Sequence, residues 1–205
     1  MTNDQKQATL LVFLKYPEPG KVKTRLAAEV GRDRAALLYR EWVGMVLRNV
    51  LPVREMVRVV GYFDGAAAAQ FSEWDGYVDQ WLEQPDGDLG VRLAVGFEWG
   101  HRHGRPVLAI GTDCLDVTAG HIATALELLA DHDAVFGPTT DGGYYLVGTS
   151  RPVTGFFEQV RWSSSHTLAD HLEHARRLGA RTALLPQLSD IDTAADWRAY
   201  EARGR

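Results

Sequence analysis

"PVLAIGTD" (Pro106–Asp113) decides the architecture. A continuous apolar run that ends in its first carboxylate reads as a central parallel strand, covered on both faces. Upstream, "ATLLVFLK" (Ala8–Lys15) and "MVRVVGYF" (Met56–Phe63) read as further strands. Between them, residues 31–51 carry Leu37, Leu38, Trp42, Met45 and Val46 at helical spacing. "GAAAAQFSEW" reads as a short helix and "GYVDQWLEQ" as a strand. Residues 86–104 open with acidic groups and end in Gly, as a helix does. Downstream, "TAGHIATALELLADH" is a helix with Thr118 as its N-cap, and "DAVFGP" is a strand. "GGYYLVGT" is a strand of opposite direction. A helix over "SSSHTLADHLEHARRLG", a strand over "RTALLP" and a last helix over "TAADWRAYEA" close the chain. In that last helix Thr193 and Asp196 have the spacing of a capping box. The alternation predicts an α/β fold, three layers deep (α/β/α), around a mostly parallel sheet.

The totals set bounds on function. The chain has 205 residues, 45% hydrophobic and 24% charged, and a formal net charge of −5. No repeat, low-complexity tract or linker interrupts it, so residues 1–205 are expected to form one domain. An acidic total argues against a nucleic-acid partner. The polar start "MTNDQKQ", and the lack of any apolar run near the ~18 residues of a membrane span, predict neither a signal peptide nor a membrane segment. The single cysteine, Cys114, permits no internal disulfide and fits a reducing, cytoplasmic setting.

Against that acidic background, "KYPEPGKVKTRL" (Lys15–Leu26) places four cations directly after a strand. Ligands of such sheets bind beyond the carboxyl ends of the strands. Gly20 lets the backbone approach a ligand, and Lys15, Lys21, Lys23 and Arg25 offer donors to phosphate oxygens. The plainer alternative is a solvated turn with Arg25 pairing Glu29.

Three carboxylate segments share the expected strand edge. Asp113 ends its strand and is a candidate Mg²⁺ or Mn²⁺ ligand, or a turn cap. Asp190 and Asp192 in "SDIDTAADW" lie on one face if extended, with Ile191 turned inward; the alternative is a polar turn before the last helix. Asp141, Gly142 and Gly143 are either a hairpin turn or a close approach for a ligand, with Tyr144 or Tyr145 as a stacking wall. Asp88 and Arg92 in "QPDGDLGVRL" mark a helix start or an acceptor-side loop. The i,i+3 pair His171 and His174 lacks further zinc ligands at a recognisable spacing and reads as solvated. His101 and His103 read as cations at a helix end. Cys114 reads as a packed small residue rather than a nucleophile.

In order, the motifs K-x-P-x-P-G-x-x-K-T-R-L, G-D-L-G-x-R-L, G-T-D-C, D-G-G-Y-Y-L-V-G, W-S-S and D-I-D-T resemble a bacterial family of the nucleotide-diphospho-sugar transferase superfamily. Its fold is the glycosyltransferase A type, and some members are labelled as glycosyltransferases linked to arsenosugar synthesis. "KVKTRLAAEV" is also similar to the opening loop of phospholactate guanylyltransferases, and "DIDTAADW" to the closing segment of sugar-acid cytidylyltransferases. The resemblance implies Lys21, Lys23 and Arg25 on nucleotide phosphates and a divalent metal on Asp113, Asp190 and Asp192. It also implies a sugar or acceptor pocket at Asp141, Gly142, Gly143 and Tyr144. Leu115 stands where the family usually has Pro. The activity so implied is glycosyl transfer from a nucleotide-diphosphate sugar to a small acceptor, with Asp141 as the orienting base. The alternatives are nucleotidyl transfer from a nucleoside triphosphate with pyrophosphate release, and a non-catalytic nucleotide-sugar binding module.

Overall fold

A computed structural model describes residues 8–204, so the polar segment read as lacking a signal peptide lies outside the described residues. The strands are β1 (Ala8–Lys15), β2 (Val57–Asp64), β3 (Gln80–Glu83), β4 (Val107–Ile110), β5 (Ala134–Pro138), β6 (Tyr144–Thr149) and β7 (Thr182–Leu184). The helices are α1 (Thr24–Val30), α2 (Arg32–Val50), α3 (Leu89–His103), α4 (Ala119–Leu128), α5 (Thr167–Arg177) and α6 (Ala194–Glu201). The strands form one seven-stranded sheet in the order β3-β2-β1-β4-β6-β5-β7. All neighbours pair parallel except β6, which runs antiparallel to both β4 and β5, as the sequence pattern predicts.

The period-2 alternation of β1 divides the core. Leu10, Val12 and Leu14 pack on one face, against α2 (Trp42, Val46), α4 (Ile122, Ala125) and α6 (Ala194, Tyr200). Leu11 points the other way, towards Tyr62, Phe97 of α3 and Ala175 of α5. This is the expected three-layer α/β/α fold. The chain runs outward from β1 to β2 and β3, then crosses back through α3 to β4 on the other side of β1. The strand order therefore reverses between β1 and β4, where α/β sheets open a ligand crevice.

Glycines set how closely the layers approach. On α3, a side chain at Gly96 would stand 2.9 Å from Tyr62, and one at Gly100 2.8 Å from Val107, so this helix lies nearly on the sheet.

Several local expectations need correction. The segment read as a short helix is a 3₁₀ run over Ala68–Tyr77, and the strand after it is confined to Gln80–Glu83. Arg54 bonds the Asp79 carboxylate and the carbonyls of Gly76 and Val78, and Asp79 in turn bonds Val59 of β2 through its N–H and its carboxylate. Leu37 is exposed although it matches the helical period, because Leu38 takes the inward position. His171 and His174 are buried, not solvated. The His171 ring is ringed by Phe136, Phe156, Phe157 and Trp162, and His174 Nε2 bonds the Gly155 carbonyl. His101 is likewise buried, with Nε2 on the Thr149 hydroxyl. The Thr193–Asp196 capping box forms, with Asp in the usual Glu position.

Burial lowers both His101 and His171 to about 4, with minor help from Arg105 and His174 respectively. Protons therefore bind the unfolded chain more readily than the folded one between the free value near 6.5 and 4. The contribution of these rings is complete above pH 6.5 and is lost as pH falls towards 4. The melting temperature should drop over that window. His171→Asn should melt lower at pH 7.5 but show a shallower decline, and an unchanged slope would refute the assignment.

Candidate functional site

The reversal point holds a cleft of about 670 Å³. Its floor is the carboxyl ends of β1 and β4, and its walls include Lys21, Arg25, Gln84, Arg92, Asp113 and Asp190. Three chain segments meet there because β4 exits through Gly111-Thr112-Asp113, the β1 exit loop folds back over it, and the stretch before α6 lies alongside. Ile191 N donates to the Asp113 carbonyl at 2.9 Å, so the two carboxylate segments are joined through backbone. Buried Ile191 points into the core while Asp190 and Asp192 stay half-exposed, as the extended reading expects.

Lys23 organises the middle of the cleft. Its Nζ lies 2.8 Å from Asp113 Oδ1, 2.9 Å from Asp192 Oδ1 and 2.6 Å from the Ile191 carbonyl. The side chain is only 5% exposed and sits over the Trp42 ring. Burial opposes its charge, but Asp113 and then Asp192 outweigh that and raise its pKa. The sequence reading has Lys23 facing phosphates; here its ammonium lies on two carboxylates and a carbonyl. The other loop cations remain available. Lys21 pairs with Glu18 at 3.0 Å and is 69% exposed; Arg25 reaches Asp192 at 3.5 Å and is 71% exposed. Arg25 faces Asp192, and Glu29 is instead reached by Arg198. Lys15 is exposed at the cleft edge. Gly20 has φ +82, a conformation that glycine adopts without strain, and the Arg32 side chain packs beside it.

Asp190 is pushed up to about 7, first by burial, then by the charges of Asp113 and Asp141, with Lys23 opposing and Asp192 adding. Asp113, Asp190 and Asp192 thus outnumber the cations that touch them, Lys23 and Arg25. The all-oxygen donor set and its surplus of negative charge fit a hard divalent cation held by Asp113, Asp190 and Asp192. Among the described residues, no three such side chains are already drawn together at metal-ligand spacing.

The remaining expected residues divide. Arg92 lines the cleft, but it is held by Asp64 Oδ2 at 2.6 Å and by Gln84 Oε1 at 3.0 Å. Asp88 lies outside the cleft lining and caps α3, accepting from Val91 N. Asp141 also lies outside it. Its Oδ1 accepts from the Thr139 hydroxyl at 2.6 Å and from Gly143 N at 3.0 Å, as in the hairpin-turn reading, and its charge acts on Asp190. Tyr144 lines the cleft, with its hydroxyl 3.3 Å from His171 Nδ1. Burial raises its pKa far out of reach, so it serves as a neutral wall. The Cys114 thiol is pushed up to about 12, by burial first and Asp190 next, and has no nucleophilic character.

Two residues were not singled out from sequence. Buried Tyr39 of α2 accepts from Lys15 N at 3.1 Å and shares a 2.9 Å hydrogen bond with Thr112, clamping the ends of β1 and β4. Trp162 of the W-S-S motif lies against Gly90, where a side chain would stand 2.5 Å from its indole nitrogen. The G-D-L-G and W-S-S motifs thus meet at this contact, while Gly87, Leu89 and Ser163 of the same motifs line the cleft. A polar residue on the inward face of α2 was the available signal for Tyr39; Trp162 stood in the W-S-S motif without a role attached.

With this geometry in hand, likenesses to known proteins become informative. The family model described as an uncharacterized protein conserved in bacteria (DUF2064) matches residues 46–164, and the chain belongs to that family. The match spans Asp113 and the Asp141 turn but neither the cation loop nor Asp190 and Asp192. No curated protein matches. A solved structure from Desulfovibrio desulfuricans G20, provisionally assigned as a nucleotide-diphospho-sugar transferase, is 29% identical. Its TM-score is 0.88, over 98% of this chain and 89% of that one. The 4-diphosphocytidyl-2C-methyl-D-erythritol synthase of Anaerococcus prevotii DSM 20548 is 10% identical, with a TM-score of 0.65 over 98% and 99% of the two chains. Rv0371c of Mycobacterium tuberculosis H37Rv, solved in complex with manganese, is 20% identical, with a TM-score of 0.59 over 95% and 97%. The fold is that of the nucleotide-diphospho-sugar transferases, as the motif resemblance implies.

The two turn glycines should behave differently. Gly142 has φ +91, and a side chain there would meet the Ser165 carbonyl oxygen at 2.1 Å. Gly143 has only side-chain neighbours, at 3.1 Å and beyond. Gly142→Ala should lower stability by roughly 2 kcal/mol or more, and Gly143→Ala by clearly less. Chemical denaturation measures both, and equal losses would show that the turn is read wrongly.

Proposed function

We propose that this protein is a metal-dependent transferase whose donor is a nucleotide-diphosphate sugar, passed to a small acceptor. The observation that carries this reading is a cleft lined both by exposed cations, Lys21 and Arg25, and by the neighbouring carboxylates Asp113, Asp190 and Asp192. That pairing suits a phosphate chain bridged by Mg²⁺ or Mn²⁺. When bound, the metal would neutralise charge gathering on the departing nucleoside diphosphate. The chain's own residues do the rest. Lys21 and Arg25, with Lys15 at the edge, bind the phosphates, and Arg25 can do so with two parallel donors. Asp113, Asp190 and Asp192 would hold the ion. Tyr144 and Arg92 shape the far end of the cleft, where sugar and acceptor meet and water is excluded.

The Desulfovibrio protein's assignment supports sugar transfer. The synthase from Anaerococcus prevotii shares only the fold, but its name keeps nucleotidyl transfer as the second reading, and the lysine-rich loop suits a triphosphate equally. The products separate them. Incubation with nucleotide sugars or nucleoside triphosphates, Mn²⁺ and a panel of small acceptors should release a nucleoside diphosphate. Pyrophosphate would favour the second reading, and tight binding without turnover would reduce the protein to a binding module. Lys21→Ala and Arg25→Ala should each weaken donor binding about tenfold at low salt, and less as salt rises. Unchanged affinity in both would leave the loop a solvated turn.

A further inference from the structure

Resting on the metal-dependent reading, we propose that Lys23 is the built-in counter-cation of the carboxylate cluster. It is a positioning residue that fixes Asp113 and Asp192 and makes no contact with donor phosphates. An ammonium has three N–H donors, and Lys23 has three oxygen acceptors at 2.6, 2.8 and 2.9 Å. A phosphate oxygen can be reached only by giving one of these up. Exposure separates it from its neighbours in the same loop: 5% against 69% for Lys21 and 71% for Arg25.

The backbone explains the inward turn. Lys23 is left-handed, with φ 45 and ψ 49, in a position rare for a residue with a side chain. Val22 and Leu26 on either side are buried in the core. That pair of anchors and the unusual dihedral aim Lys23 under the loop, over Trp42, while Lys21 and Arg25 stay on the surface. Of the cations in K-V-K-T-R, one is structural and two are free to bind.

The consequence concerns the metal. Lys23 touches Asp113 and Asp192, Arg25 adds a longer contact to Asp192, and Asp190 stands beside them, so the carboxylates outnumber the cations and a divalent ion would offset the surplus. With Lys23 present, any metal must bind through oxygens that the ammonium does not occupy. Removing Lys23 vacates a place between Asp113 and Asp192, and the charge gained there outweighs the loss of positioning.

The first test uses the wild-type protein. Lysine acetylation followed by mass spectrometry, without metal or nucleotide, should modify Lys15 and Lys21 quickly and leave Lys23 protected. Adding Mg²⁺ with inorganic pyrophosphate should protect Lys21 and leave Lys23 as it was. Lys23 reacting as fast as Lys21 overturns the proposal. Failure of pyrophosphate to protect Lys21 counts against the phosphate-binding reading alone, so the two failures are distinct. The second test is Mn²⁺ titration without nucleotide. Lys23→Met should bind Mn²⁺ about tenfold more tightly than wild type and gain a larger rise in melting temperature from it. Affinity equal to or weaker than wild type overturns the proposal. Should Lys23→Met not fold, the acetylation pattern still decides.

Discussion

Everything at the cleft hangs on one ammonium group and the three oxygens around it. Lys23 comes from the β1 exit loop, Asp113 from the end of β4, and Ile191 and Asp192 from the stretch before α6. These segments are distant in sequence, and Lys23 joins all three. The backbone link from Ile191 to Asp113 and the clamp of Tyr39 on Lys15 and Thr112 reinforce the same meeting point. Lys23 is the buried partner of this group, so removing the half-exposed carboxylates would leave its charge uncompensated.

The sheet underneath makes that meeting possible. Reversal of strand order between β1 and β4 opens the crevice, and β6, inserted antiparallel between β4 and β5, carries Tyr144 to its wall. The proposed chemistry needs little beyond this: exposed cations beside a group of carboxylates, on a floor of strand ends. The two far-wall motifs, G-D-L-G and W-S-S, contribute through the contact of Gly90 with Trp162, which seats the start of α3 beside the cleft.

Much of the fold was legible in sequence. The apolar run 106–113, the alternation in β1 and the opposite sense of β6 follow from burial patterns that few other arrangements satisfy. The site was legible as a neighbourhood and less so as roles. Spacing put Asp113, Asp190, Asp192 and the cation loop at one edge, but it carries no information on which cation turns inward; a left-handed dihedral at Lys23 decides that. The histidines were misread for a similar reason. His171 and His174 lie on a polar-looking helix, and only the aromatic groups that 136, 156, 157 and 162 bring from elsewhere in the chain make their surroundings apolar. Asp88 and Asp141 show a different case: both are carboxylates at glycine-rich turns, and each has its Oδ1 bonded within the turn.

Titration calorimetry of nucleoside diphosphates and their sugar conjugates, with and without Mn²⁺, tests the central claim most directly. If the carboxylate edge and the cation loop jointly hold a metal-bridged donor, Mn²⁺ should tighten nucleotide binding markedly in wild type. Asp113→Asn, nearly isosteric, should keep the fold and lose most of that coupling. Wild-type affinity that is indifferent to Mn²⁺, or full coupling in Asp113→Asn, would contradict the account.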